Sequence, residues 1–594
     1  MSLIRPIQPS FTSGEVSPSI YSRIDIDQYH SGLRRCRNFI VHPHGGVSNR
    51  PGTRFVAETK DSTKESIVQE FIFSASQKYV LEIGHEYIRF YTEGARIDAD
   101  TPISWSVSTA YEEGEYVTYS SSTATSTYYS IQDGTGQYPT ESSSAYWTEQ
   151  TCYEIPTTYQ EEDLQDLRFE TSADVIYITH KDYQPATLSR LGAANWVLED
   201  YEPDDGPFMP ENLEETFSLS SSALTGSVSL ASTTAIFAST HVGALFRLTH
   251  YIESQKVAAA LASVTTTSSI KCFSTWRIIT HGTWTGKISI QKSNDGGTTW
   301  NELRSFSSTN DFNANTYGSE DVEGNPYPFL VRVNMYSYSS GTCNVDLTTD
   351  AFYHDGVARV TAVHSVISAT ATVIKGFGAT TATTSWAEGS WSDYQGYPRV
   401  SRFFQDRLCF ASTPGEPQTL WFTQTGNYQS FFRHSTLLDT DGITVTLPSR
   451  QVNEINGLVA LTTLIVLTTA SEWSVGPGGS GVLTPSSVLV KIQGYRGSYG
   501  INPVVVGNEA LFVQANGKVV RNIGYDFASD TFTGQELNVY SKHLFDKWTI
   551  IDACYQQDPD TIIWFLRSDG RLVGATFMKE QQVIGWHWSD TGAD

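Results

Sequence analysis

The feature that most limits what this chain can fold into is a strand–turn–strand unit that keeps returning while helical periodicity is almost absent. Six such units read off directly: YVLEIGHEYIRFY from Tyr79, VIYITHKDYQPATLSR from Val175, RLCFASTPGEPQTLWFT from Arg407, LIVLTTASEWSV from Leu464, LFVQANGKVVRNI from Leu511 and IIWFLRSDGRLVGATF from Ile562. Each is a pair of β-branched and aromatic runs, in five of the six around Gly, Pro, Asn or Asp, the pattern of a hairpin. Asn516-Gly517 and Asp569-Gly570 predict type I′ turns, in which both central residues take positive φ. The last four units begin at residues 407, 464, 511 and 562, close to the spacing of propeller blades at roughly 50 residues. The expected fold is mainly β: a β-propeller-like framework of repeated hairpins, each pairing an apolar inner strand with a more polar partner. An ordinary β-rich domain with evenly spaced hairpins is the alternative.

Two stretches interrupt the series and set the expected domains. Residues 100–155 are rich in Ser, Thr, Tyr and Glu and read as a small aromatic-rich inserted β-module. Residues 216–385 form a longer insertion whose alternating strands read as a β-sandwich domain. The framework then comprises first blades at 61–99 and 156–215 and remaining blades at 386–594. Residues 1–60 have little regular pattern and read as an extended N-terminal arm that packs on other surfaces. A chain of 594 residues exceeds what one hydrophobic core serves, so several domains are expected in any case.

Charge narrows the function classes. The formal net charge is −25, which argues against a large nucleic-acid-binding face. It is compatible with a surface that DNA passes without being held, since each Lys or Arg on a phosphate adds salt-sensitive affinity. The six cysteines are scattered, with no CxxC pair and no zinc spacing, and read as reduced thiols in a protein made in a cytosol. The first residues lack the apolar core of a signal peptide, and no apolar run is long enough to span a bilayer.

The motifs are structural rather than catalytic. Ser293–Trp300, SNDGGTTW, fits the Asp-box pattern, in which the Asp caps a hairpin turn, a Gly takes positive φ and the Trp packs beneath. A single copy is weak support for a glycosidase. His42 and His44 flank Pro43 before Gly45-Gly46, without a third ligand at metal spacing, and read as a turn. No nucleophile elbow, zincin or phosphate-loop motif occurs. No catalytic residue, metal ligand or cofactor is therefore expected, and the chain reads as no enzyme. In the first insertion, Tyr111, Tyr119, Tyr129 and Trp147, with Gly114, Val117, Tyr128 and Pro139, come in an order that resembles small chitin-binding-type modules. These aromatics are candidate glycan-stacking or docking residues; alternatively, they are the core of a tiny module. The glycine-rich stretch with Gly476, Gly478, Gly479 and Gly481 is a candidate tip loop, either a channel closure or a plain connection between blades.

The arm, PSFTSGEVSPSIYSRIDIDQYHSGLRRCRNFIVHPHGGVSNRPGTRFV, resembles the start of the podovirus nozzle proteins, also called tail tubular protein B, of short-tailed bacteriophages. The matching residues are Gly14, Ser17, Pro18, Asp25, Tyr29, Asn38, Gly45, Gly46, Arg50, Pro51 and Gly52. Blocks beginning at Tyr159, Trp391, Gly481 and Gly494, and the EQQVIGWHWSD ending, are similar in the same order, and only the two insertions lie outside. Relatives continue past that ending with more strands, so the last blade is expected to be completed elsewhere or the chain to be truncated. The resemblance implies a structural virion tail protein in a homohexameric ring. Its expected partners are the portal adaptor protein, tail fibres or other appendages, phage DNA in transit without sequence-specific binding, and the host surface. On this basis the arm is expected to clasp a neighbouring subunit or the adaptor. The competing reading is a receptor-binding or fibre-associated tail protein with a carbohydrate-binding insertion at 105–155.

Overall fold

The structure is a computed structural model. It describes residues 7–74, 77–98, 103–120, 125–139, 145–149, 152–273, 275–309, 313–320, 328–434, 436–479 and 481–590. The chain is mainly β, built from many small sheets. It divides into two compact units, one of residues 1–202 with 397–594, the other of residues 203–396.

The first unit contains six four-stranded antiparallel meanders. They run Ile67–Ile72, Lys78–Gly84, Tyr87–Thr92 and Glu154–Pro156; Arg168–Ser172, Val175–His180, Tyr183–Gly192 and Asn195–Asp200; Val400–Phe404, Arg407–Ala411, Thr419–Phe422 and Ile443–Thr446; Ile455–Ala460, Leu464–Thr468, Glu472–Pro477 and Val488–Gly494; Val504–Val506, Glu509–Val513, Val520–Asp526 and Thr531–Thr533; and Ile550–Gln556, Ile562–Arg567, Leu572–Met578 and Val583–Ser589. The six hairpins legible in the sequence are the second and third strands of these sheets.

The expected polarity of the hairpins is overturned. Arg407–Ala411, Thr419–Phe422 and Leu464–Thr468 are buried at every position. In the fourth meander the reason is that the sheet is covered on both faces, so its middle strands have no solvent side. Leu464 and Val466 pack with Cys409, Ala411 and Leu420 of the third meander. Ile465 and Leu467, on the opposite face, pack with Ala510, Phe512 and Ile523 of the fifth. The polar strand of the fourth meander is instead its last, Val488–Gly494, which has no buried residue. The turns also differ from expectation. Only Gly517 (φ 70°) and Gly570 (φ 80°) are left-handed, not Asn516 or Asp569. Gly517 N–H donates to Gln514 O and Gly570 N–H to Arg567 O, and with Gln514 closing on Val519 and Arg567 on Arg571 the connections are two residues and one residue longer than a type I′ loop and take positive φ only at the glycine.

Each meander contributes its first strand to one cavity of about 710 Å³, lined by Val68, Phe169, Ser401, Leu458, Val504 and Ala553 among others. The small insertion, with strands between Ile103–Ser104 and Trp147–Glu149, connects the third and fourth strands of the first meander.

The N-terminal arm departs most from expectation. It docks on its own chain. Gly14–Glu15 pairs in parallel with Val583–Ser589 (Gly14 opposite Trp586) and with Gly32–Leu33, extending the sixth meander to six strands. The hairpin Phe39–Val41/Val47–Asn49 comes next, and Thr576 Oγ1 donates to Val41 O (2.6 Å). An open edge at Val583–Ser589 would otherwise expose unpaired backbone groups, and the arm satisfies them.

The second unit holds two layers of organisation in place of the single expected sandwich. A six-stranded sheet runs in the order Leu219–Ser221, Ser227–Ser232, Ser368–Lys375, Phe352–Ser365, Leu245–Ile252, Trp386–Glu388. Between Leu245–Ile252 and Phe352–Ser365 the chain inserts a sandwich of a four-stranded and a five-stranded sheet around Trp276, Ile278, Ile288, Ile290, Val331 and Leu347.

Candidate functional site

The best-defined polar site in the first unit is the seam between the arm and the sixth meander. Glu15 sits at its centre, buried. Its carboxylate accepts from the Cys36 N–H (2.6 Å), Trp588 Nε1 (2.9 Å) and His543 Nε2 (3.0 Å). Burial pushes the carboxyl up, but His543, the Cys36 amide and Trp588 together outweigh it and hold Glu15 below the ordinary range. Around it, Asn38 N–H donates to Trp588 O (2.8 Å) and Trp588 N–H to Cys36 O (3.0 Å). The Trp588 ring lies between the guanidinium groups of Arg37 (5.3 Å) and Arg571 (5.1 Å), and Arg37 pairs with Asp590.

Most of the arm residues that stand out in the sequence belong to this seam. Gly14 has φ +62°, and a Cβ there would lie 2.2 Å from Trp586 O, so only glycine allows the approach. Ser17 N–H donates to Tyr540 O (2.7 Å), and Pro18 opens the short turn Pro18–Ile20 that Ser17 caps. Asn38 has φ 60° and its Oδ1 accepts from Asp590 N–H (3.1 Å). Arg50 donates to Asp590 O (3.1 Å) and its N–H to Asn38 O. The histidine pair forms the expected turn, Gly45 N–H to His42 O, and His42 faces Asp560. Asp25 pairs only with the neighbouring Arg23 on the surface, Tyr29 packs edge-on against His30, and Pro51 and Gly52 are exposed. Sequence reasoning does not find Glu15 and His543; the one signal is a charged residue directly after a glycine that must approach backbone closely.

The aromatic insertion turns its rings inward. Tyr111, Val117, Tyr128 and Trp147 form its core, with Trp105, Tyr119 and Tyr146 packed against it. Tyr129 is buried edge-on against Tyr116 (5.2 Å), and Trp147 Nε1 donates to Gln137 O (3.0 Å). Tyr111, Tyr129 and Trp147 therefore present no open face for a sugar ring.

The glycine-rich loop is anchored. Gly476 lies within Glu472–Pro477, Gly478 N–H donates to Ser487 O, and Gly481 (φ 80°) accepts from Gln405 Nε2 (3.1 Å). Leu483 is buried in the core between the third and fourth meanders, while a Cβ added at Gly479 would meet open space. The Asp-box has its structural geometry: Asp295 accepts from the Thr298 and Thr299 amides, Gly296 and Gly297 have positive φ, and Trp300 Nε1 donates to Gly297 O (2.8 Å). The Thr299 hydroxyl and amide, with Ser293 and the Thr298 amide, hold the Asp295 carboxyl well below the usual range.

The shared cavity is crossed by a polar network. Arg168, buried, donates from Nη1 to Gln165 O and Leu167 O and from Nη2 to Gly500 O at the entry to the fifth meander. Burial and the nearby Arg399 charge lower its pKa to about 10. Arg399 reaches Asp166 (3.2 Å), Asn456 (3.1 Å) and Glu454 (3.6 Å), and Asn456 Nδ2 donates to Ser498 O. Arg168 and Gly500 both line the shared cavity, and their bond links two of the meanders that bound it. Among the described residues no cluster of His, Cys, Asp and Glu could hold a metal ion. None of the six cysteines is in a disulfide.

The sheets and the seam define a class first: a many-sheeted β-protein whose polar groups are spent on internal ties. Residues 400–536 match the family model of the bacteriophage nozzle protein, and this supports a phage tail nozzle protein with a structural role in the virion tail. The matched segment coincides with the third, fourth and fifth meanders, from Val400 to Thr533. No curated protein matches the chain.

Proposed function

We propose that the chain forms the distal part of the DNA-ejection channel of a short-tailed phage. In this reading it sits below the portal adaptor, assembles as a ring of six, and carries tail fibres or other appendages on its outside. The observation that carries the reading is the coincidence of the nozzle-family match with three whole consecutive meanders. The six meanders are the blades of a propeller; the support is their shared cavity and the packing of Leu464–Thr468 against one neighbouring sheet on each face. Such a unit is a rigid wedge suited to head-to-tail ring closure. The protein is made in the host cytoplasm, in keeping with cysteines that form no disulfide.

The DNA path in this reading runs between copies, because the Arg168–Gly500 tie obstructs the axis of a single copy. A net charge of −25 per chain then lets the ring repel a passing duplex rather than grip it. Immunogold electron microscopy of intact virions with an antibody to this chain tests the placement. Label at the distal end of a short tail is the expected result; label confined to projecting fibres rejects it in favour of a receptor-binding role.

A further inference from the structure

A ring closed by rotation needs two different surfaces on each copy, one fitting the other on its neighbour. The first unit carries such a pair. After Arg50 the arm leaves its seam, and the backbone groups of residues 51–59 make no hydrogen bond among the described residues. This extended stretch holds Phe55, 76% exposed, and Val56, 45% exposed, side by side in sequence. Arg54, just before them, is exposed and has no ion-pair partner among the described residues. An ordered approach that ends in an unpaired strand bearing a bare phenylalanine is costly to leave in water.

The complementary feature is a groove of about 1060 Å³ on the fourth, fifth and sixth meanders. Its walls include Leu461, Tyr525, Phe532, Tyr555, Phe577 and Met578. Its rim is acidic: Glu509 is shared between Asn522 and Lys579, while Glu580 is exposed without an ion-pair partner among the described residues. The groove thus offers an aromatic floor to Phe55 and Val56 and a free carboxylate to Arg54.

We infer that the Arg54–Val56 segment of one copy inserts into this groove of the next copy, with Phe55 as the apolar anchor and Arg54 facing Glu580. The occupant is a second copy of this chain, since the knob and the hole lie on the same polypeptide and their charges are opposite. The inference rests on the proposed ring and adds the contact that closes it. Phe55 then supplies the kind of buried aromatic anchor that dominates interfaces, and the arm's seam serves to present it.

The test uses the full-length chain with p-benzoylphenylalanine at position 55, mixed as light and heavy isotopic forms and cross-linked both in solution and in assembled tails. Products joining position 55 of one isotopic form to the Tyr525–Phe532 or Phe577–Glu580 peptides of the other are expected. Products within one chain, or to another surface, overturn the inference. A second photo-cross-linker placed on the exposed Tyr495 reports whether copies touch at all. If neither position gives inter-chain products in tails, the ring reading itself fails. If only position 55 misses the groove, the ring stands and this contact falls. The charge swap keeps the result independent of folding. Arg54→Glu and Glu580→Arg should each lower self-association several-fold, and the double variant should restore it; additive losses overturn the pairing.

Discussion

Replacing Gly14 by alanine tests whether the arm is part of the folded framework. The backbone at Gly14 is left-handed, at φ +62°, and the added Cβ would stand 2.2 Å from the oxygen and 2.3 Å from the nitrogen of Trp586. Neither atom can rotate away, because Trp586 is paired on its other side with Ala575. The left-handed conformation costs an alanine about 1 kcal/mol or more, and forcing overpacked backbone apart adds about 1–3 kcal/mol. The total is about 2–4 kcal/mol. It is relieved only by lifting the arm, which also releases the Glu15 hydrogen bonds from Cys36, Trp588 and His543. Hydrogen exchange on the full chain reads this directly. Amides of Val583–Ser589 should exchange roughly 30- to 1,000-fold faster in the variant, the equivalent of that free energy in local opening. Gly52→Ala is the matched control, since a Cβ there meets nothing within 4 Å. Equal protection of Val583–Ser589 in Gly14→Ala and the parent chain would refute the account of the seam. Truncation should then act on the fold as well: removing residues 1–50 opens the edge of the sixth meander, so the shortened chain should be destabilised as well as defective in assembly.

Three further outcomes are expected. Glu15 has a folded pKa below its unfolded value of about 4.3, so its contribution is present above that pH and is lost as pH falls through the lower folded value; Glu15→Gln should flatten the acid limb of a denaturation-midpoint profile below about pH 4.3. His250 and His354 are buried, cross-strand neighbours whose pKa values burial lowers, so stability of the second unit should fall as pH drops below about 6.5, by at most about 1.4 kcal/mol per pH unit for each histidine, and the double glutamine variant should lose that dependence in thermal melts. Trp147→Ala should cost the small insertion about 3–5 kcal/mol and make residues 103–149 susceptible to limited proteolysis while leaving the second unit's melting unchanged.

The hairpins are legible because alternation and turn residues are local. Leu464–Thr468 reads as a strand from its own residues, and Asn516-Gly517 marks its turn even though the loop is longer than the dipeptide alone predicts. What covers each face of a strand is not local, and so the partner strands expected to be polar are buried. The first strands of the meanders are the least visible. Val504–Val506 is three residues long and Arg168–Ser172 carries two charges, so neither stands out, although their position in the cavity is what relates the sheets to one another. The arm meets the same limit at longer range. Gly14 and Asn38 stand out in the sequence, but the partners that explain them, Trp586 and Trp588, lie at the other end of the chain. The strands of the sandwich are legible from their alternation, but its nesting within a second sheet is not, because Ile252 and Phe352, which pair across its base, are separated by the whole insert.

Arm, groove and cavity together indicate how a conduit can be built from this chain. A buried arginine is expensive unless its donors find partners, and the Arg168 Nη atoms donate to carbonyl groups at the start of the second meander and in the loop entering the fifth. That arrangement ties the second meander to the entry of the fifth, and in the proposed propeller it lies across the axis. A protein proposed to pass DNA would then form the passage between several copies, and the chain as a whole carries 64 carboxylates against 39 lysines and arginines. The seam fits this division of labour. The arm is fixed to the last meander by buried hydrogen bonds, and beyond Arg50 it leaves Phe55 exposed, available in the proposed ring to a neighbouring copy. In the proposed ring, anchoring within each copy and contact between copies fall to different stretches of the same arm, residues 13–50 for the first and residues 54–56 for the second.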